Sequence, residues 1–126
     1  NFFMYLENDD LCKRLIDCGE SIYVVPKSKI KHLGAKAVDE KYRDEIELSR
    51  NWHWVWSKFY YNKKHFYFFS AFLNGLSSFI SAIIKFLFYL LIMKRKKIKV
   101  YLNRVLGFIN ALLGKKSSYR PNLNYD

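Results

Sequence analysis

Carboxylates crowd one short stretch near the start of the 126-residue chain, where Glu7, Asp9 and Asp10 follow directly on Phe2-Phe3-Met4-Tyr5-Leu6 and lead into Leu11, Leu15 and Ile16. An apolar run that breaks into acids and then into helical spacing predicts a buried strand end, a turn and a helix start. Acids in that place would face the region beyond the strand ends, where open α/β sheets take their ligands. A purely structural role fits the same residues, with Asn8 or Asp9 as N-cap and the other acids favoured in the first turn by the helix dipole. His32, at the end of a later strand-like segment, also admits two readings, hydrogen-bonded packing or a ligand.

The elements that must position these groups follow from the apolar pattern. Residues 8–18 place Leu11, Leu15 and Cys18 on one helix face, and Gly19 suits the C′ position that ends it. Residues 21–25 are β-branched and aromatic and stop at Pro26, while residues 27–32 put Ile30 and His32 on one face of a second short strand. Residues 33–40 read as a loop over a site. Across 42–62, Leu48, Trp52, Val55 and Phe59 recur at helical spacing, and Trp54, Trp56, Tyr60 and Tyr61 widen the aromatic surface. Such a helix packs between neighbours or, as the functional alternative, stacks on sugar or lies in an aromatic interfacial belt. Arg50 on it suits phosphate contact, helix capping or an ion pair with Glu45, Glu47 or the acidic helix.

Charge divides the chain. Residues 1–48 carry eight Lys and Arg against ten Asp and Glu, a balance of −2, whereas residues 49–126 carry fourteen against one, a balance of +13. The basic part needs an anionic partner, which narrows the classes to nucleic acid, nucleotide phosphate or a lipid surface. Within it, residues 66–93 hold Lys85 as the sole charge and run into Lys94-Arg95-Lys96-Lys97. The 18 residues 76–93 sit near the lower limit for a spanning helix, and a charge at their middle costs roughly 2.5–3.5 kcal/mol on insertion scales. A helix lying in the interface lets Lys85 snorkel, keeps Phe79, Ile83, Phe86 and Leu90 buried, and sets the basic cluster on anionic cytoplasmic lipid, so interfacial or hairpin-like insertion ranks above spanning. Residues 98–113 form a second amphipathic helix antiparallel to the first, with Tyr101 or Leu102, Val105, Ile109 and Leu112 on one side. The tail 115–126 has a disordered composition. Cys12 and Cys18 lack the spacing and second pair of a zinc site and read as free thiols of a reducing compartment.

The order Phe2-Phe3-Met4-Tyr5-Leu6-Glu7-Asn8-Asp9-Asp10-Leu11-Cys12-Lys13-Arg14, then Gly19, then Ile22-Tyr23-Val24-Val25-Pro26, then His32-Leu33-Gly34, resembles the C-terminal part of the catalytic domain of glycosyltransferase family 2. The likeness covers about residues 1–65 and is rhamnosyltransferase-like. It implies an α/β fold: residues 1–65 as the C-terminal portion of a GT-A type, Rossmann-like domain, followed by a largely helical, membrane-associated region at 66–114. The activity implied is transfer of a sugar from a nucleotide-sugar donor to a hydroxyl of a glycan or glycolipid acceptor, with inversion, in cell-surface polysaccharide or glycolipid synthesis. An acceptor hydroxyl needs a general base, and a departing diphosphate needs neutralising by a divalent Mg or Mn ion. By the resemblance Glu7 and Asp10 occupy acidic positions of the motif and either is the base, His32 is a metal ligand, and Arg50, in an Arg-Asn pair with Asn51, contacts substrate. Asn8 departs from the pattern, standing where the family most often has Asp, and a carboxamide cannot take that proton. The nucleotide in this family is held mainly by an N-terminal half of the domain that these residues do not contain, so the chain reads as a fragment inactive alone. The expected location is the cytoplasmic face of a membrane. A non-catalytic membrane-anchoring module is the alternative; a nucleic-acid binder fits less well, because the long apolar run abuts the basic block in the order of a membrane segment.

Overall fold

Helix is the regular structure of this protein, whose computed structural model describes residues 2–31 and 38–122. Helix α1 (Glu7–Asp17) is followed by a single 3-10 turn (Glu40–Tyr42), by the long α2 (Arg43–Leu91) and by α3 (Arg95–Leu112). The expected α/β, Rossmann-like arrangement is therefore corrected to an all-helical one: no strand occurs among the described residues. The physical reason lies in the strand candidates themselves. Tyr5 and Leu6 adopt left-handed backbone (φ 67° and 63°), which bends the run before α1 out of any extended path. Among the described residues no neighbouring strand completes a ladder with residues 21–31, and Val24 and Ile30 stay 87% and 89% exposed.

The predicted end of α1 is in place. Gly19 (φ 82°) donates its amide to the Ile16 carbonyl at 2.9 Å and Glu20 donates to Leu15 at 2.9 Å, the paired bonds of a Schellman cap. The start differs from expectation: Leu6 is the capping residue and makes no side-chain cap bond, so neither Asn8 nor Asp9 serves as N-cap, while Glu7, Asp9 and Asp10 occupy the first turn.

Helix α2 is two arms. Phe66 (φ −133°, ψ 18°) and Tyr67 (φ 68°, ψ 165°) leave helical geometry, and the Asn74 side chain returns to within 3.4 Å of Asn62. Twelve residues of straight helix would separate those positions by about 18 Å, so the chain reverses at this break. A third helix closes the bundle: α3 runs antiparallel to the arm 68–91, with Tyr89 stacked on Tyr101 at 5.4 Å, and parallel to the arm 43–65, with Lys96 paired to Asp44 at 2.7 Å and Arg104 bonded to Asn51 at 2.7 Å.

Phe108 sits where all three meet, edge-on to Phe59 at 5.4 Å and stacked on Phe79 at 4.6 Å, with 1% of its surface exposed. Gly107 beside it allows α3 to lie against the backbone of the first arm: a Cβ there would stand 2.5 Å from the Trp52 carbonyl oxygen. The buried face of α3 accordingly comprises Val100, Asn103, Gly107, Phe108 and Ala111, not the bulkier stripe anticipated from its apolar residues, and Leu102 and Leu106 are exposed. The first arm buries Leu48, Trp52, Trp56 and Phe59, close to the predicted stripe.

By length and composition α2 contains a segment long and apolar enough to cross a membrane. That segment is the second arm, whose Phe69, Leu73, Ile80, Ile84, Leu87, Phe88 and Leu91 are exposed. Residues 115–122, which composition assigns to a disordered tail, lie against the first arm: Trp56 Nε1 donates to the Lys115 carbonyl at 3.0 Å, and buried His53 donates from Nε2 to the Tyr119 carbonyl at 3.0 Å while Nδ1 accepts from Ser117 Oγ at 2.9 Å. Burial holds the His53 imidazole below its ordinary pKa, in keeping with this neutral, one-proton arrangement.

Because the atom opposed to Gly107 is backbone and cannot swing aside, Gly107→Ala is expected to destabilise the bundle by about 1–3 kcal/mol. Urea denaturation followed by helical circular dichroism measures it, and an unchanged midpoint would contradict the close approach.

Candidate functional site

The chain before α1 is laid along the first arm by its own aromatic rings. Phe2 meets Tyr60 edge-on at 5.0 Å, Phe3 lies 4.8 Å from the His53 ring, Tyr5 meets Trp54 edge-on at 5.4 Å, and the Met4 carbonyl accepts from Ser57 Oγ at 2.7 Å. This strip delivers the acidic first turn of α1 to the end of that arm, where Lys64 and His65 precede the reversal.

Asp10 enters the structure there, 5% exposed. Its Oδ1 accepts from Lys64 Nζ at 2.6 Å and from His65 Nε2 at 2.8 Å, and its Oδ2 accepts from Arg14 Nε at 3.1 Å. Burial alone would raise the carboxyl pKa; the bonds from Lys64 and His65, the Lys64 charge and Arg14 outweigh it and bring the group down to about 2. A carboxylate so held is a poor proton acceptor near neutrality.

Glu7, one turn earlier, is exposed and has no ion-pair partner among the described residues. It lines a hollow of about 500 Å³ together with Phe2, Asp10, Arg14, Tyr60 and Lys64. The structure thus brings Glu7 and Asp10 to one place and gives them different environments. Arg50 is elsewhere: its Nε donates to the Tyr5 hydroxyl at 2.8 Å, and it lines a separate hollow with Glu47, Asn51, Trp54 and Arg104. His32 lies outside the described residues.

The divalent ion implied by the resemblance finds no complete donor set among the described residues, where no three His, Cys, Asp or Glu side chains converge. Both Asp10 oxygens face nitrogen donors, which disfavours a cation at that carboxylate. Two members of the Asp10 cluster escaped notice in the sequence, Lys64 and His65, as did the Tyr5 hydroxyl that holds Arg50. The signal available was the run Lys63-Lys64-His65 at the end of the aromatic helix, where it reads as part of a general basic excess. Comparison with family models, with characterised proteins and with solved structures returns no match for this chain.

The folded pKa of Asp10 is depressed from the ordinary 3.8 to about 2, so its pairing contributes fully above pH about 4 and is lost as pH falls toward 2. The shift corresponds to about 2 kcal/mol. Asp10→Asn is expected to lower stability at pH 7 by about that amount and to flatten the acid limb, read by urea denaturation at pH 7 and at steps between 4 and 2. Equal acid dependence in both proteins would remove the cluster from the folded state.

Proposed function

We propose that this chain is the membrane-seated portion of a nucleotide-sugar-dependent glycosyltransferase that transfers with inversion to a glycan or glycolipid hydroxyl, and that Glu7 is its general base. The observation carrying the reading is the division of labour between the two motif acids. Asp10 is occupied in holding α1 to the end of the first arm of α2, which leaves Glu7 as the carboxylate open to an acceptor in the shared hollow.

In such a transfer the acceptor hydroxyl oxygen forms the new bond to the anomeric carbon and its proton passes to Glu7. The bond from that carbon to the diphosphate breaks, and the nucleoside diphosphate leaves with the electron pair. Lys64 and Arg14 at the hollow suit the charge developing on that leaving group. The divalent ion is left to residues outside those described, His32 among them. The other half of the catalytic unit would also cover the apolar side chains of residues 21–31.

Membrane seating belongs to the second arm. Stepping about 100° per residue, Phe69, Leu73, Ile80, Ile84, Leu87 and Leu91 fall on one outward stripe, and Lys85 falls roughly 130° from its centre. Lys85 instead sits over the Tyr101 ring of α3 at 5.7 Å. This favours an arm lying in the interface over one crossing it, with the turn Lys94–Lys97 on anionic lipid of the cytoplasmic face. A non-catalytic anchoring module is the second reading, favoured by Asn8 and by the withdrawal of Asp10 into an internal ion cluster.

Release of nucleoside diphosphate from a panel of nucleotide sugars, assayed in membranes carrying the chain in its native reading frame, separates the two. Glu7→Gln is expected to cost at least about a hundredfold, with Asp9→Asn within about twofold; transfer indifferent to Glu7→Gln leaves only the anchoring module. Membrane seating has its own test in flotation with phosphatidylglycerol-containing vesicles. Leu73→Lys combined with Leu87→Lys is expected to abolish it, and a double variant that still floats would overturn the assignment of the stripe.

A further inference from the structure

Beside the acidic hollow, and sharing Phe2, Tyr60 and Lys64 with it, a larger cleft of about 630 Å³ opens between the end of the first arm and the segment after α3. Its size is that of a small-molecule site. Five cationic side chains line it, Lys63, Lys64, Lys115, Lys116 and Arg120, and no carboxylate does. Among the described residues Lys64 is neutralised by Asp10, while Lys63, Lys115, Lys116 and Arg120 form no ion pair.

Like charges gathered round one volume repel one another, and a fold that keeps them together is primed for a compensating anion. The cationic rim is also held in position. The Schellman cap at Gly114 donates the Lys115 amide to the Asn110 carbonyl at 2.9 Å, Trp56 holds the Lys115 carbonyl, and His53 holds Ser117 and Tyr119. Arg120 lies over the Phe3 ring at 3.7 Å and spends Nη1 on the Ser117 and Tyr119 carbonyls at 3.2 and 2.7 Å. Its Nε and Nη2 hydrogens keep no partner among the described residues, which leaves donors suited to paired anionic oxygens.

The rest of the lining is largely aromatic. Trp56 and Tyr60 stack at 4.9 Å and 15°, and Phe2 and Phe3 line the same space. Lys63 at the rim reaches toward Phe68 at 5.8 Å, next to the exposed Phe66, Tyr67 and Phe69 of the helix reversal. The cleft therefore pairs a concentrated positive charge with aromatic surface, and Lys63 on its rim approaches the start of the second arm.

We infer that this cleft binds the phosphate group, monoester or pyrophosphate, of a ligand whose remaining part is apolar or planar. A phosphate monoester presents three terminal oxygens and close to two negative charges to Lys and Arg at once, against two oxygens and one charge on a carboxylate. The group could arrive on a lipid or free in solution, and the chemistry of the cleft is the same for both. The inference does not rest on sugar transfer: a chain that binds pyrophosphate and transfers nothing would overturn the enzyme reading and leave this one standing.

Trp56 in the wall supplies the signal for titrations of the full chain with inorganic pyrophosphate, and with phosphatidylcholine vesicles doped with phosphatidic acid or, at matched charge, phosphatidylglycerol. Saturable binding is expected to fall by about tenfold or more in Lys115→Gln/Lys116→Gln and in Arg120→Gln, with Lys41→Gln, ahead of the first arm and part of neither the cleft nor the basic turn, within about twofold. Circular dichroism identical to the parent certifies that the variants fold. Binding of phosphatidic acid vesicles alone assigns the phosphate to a lipid, and binding of pyrophosphate assigns it to the group itself. Absence of saturable binding to both, no preference for phosphatidic acid when pyrophosphate fails, or variants that bind like the parent would overturn the site.

Discussion

An aromatic ring of α3 that must touch both arms of α2 at once sets the geometry of this bundle. Phe108 reaches Phe59 on one arm of α2 and Phe79 on the other. It does so only because its neighbour Gly107 lets α3 settle onto the Trp52 carbonyl. A side chain at Gly107 would lift α3 away and open the contact that closes the hairpin of α2. Small residues on α2 and α3 serve the same end, with Ala71, Ala82 and Ala111 all buried. Close packing of this kind gains dispersion contact over a large area without needing a large core.

The reversal of α2 is the second constraint, and it is a strained one. Tyr67 holds a backbone conformation ordinarily reserved for glycine, at a cost of order 1–3 kcal/mol. Packing on both sides of the break holds it there, through Phe59 against Phe68 at 6.0 Å and Asn62 near Asn74. The ion cluster around Asp10 forms on the two residues just before it, so the anchoring of α1 and the end of the first arm are one event. A single carboxylate meeting Lys64, His65 and Arg14 is satisfied in a way that an isolated buried charge is not.

Apolar surface and charge are then divided between the two ends and one flank of the molecule. The second arm turns its stripe outward, the basic turn 94–97 lies at one end, and the cationic cleft at the other. Lys85, which reads as an interruption in a hydrophobic run, lies off that stripe beside Tyr101, where its charge meets a ring face. One arm therefore serves two neighbours, packing inward through Ala71, Gly75, Phe79 and Ala82 and leaving large side chains outside.

Local pattern alone sufficed for the acidic helix and its glycine stop, the aromatic stripe of the first arm, the apolar segment and the antiparallel course of α3, because periodicity and end signals act over a few residues. Strand candidates misled for a related reason: β-branched composition at residues 21–25 marks a segment fit for a sheet, but a ladder exists only when another strand supplies its other half. Tyr5 and Leu6 took left-handed backbone through contacts with Trp54 and the rest of the first arm, which propensity does not register. What only the tertiary structure decided was the fate of the charges. Glu7 and Asp10 are the same chemistry three residues apart, and spacing cannot separate them. Folding brings Lys64 and His65, more than fifty residues distant, onto one and not the other, since long-range proximity is set by where α2 turns back.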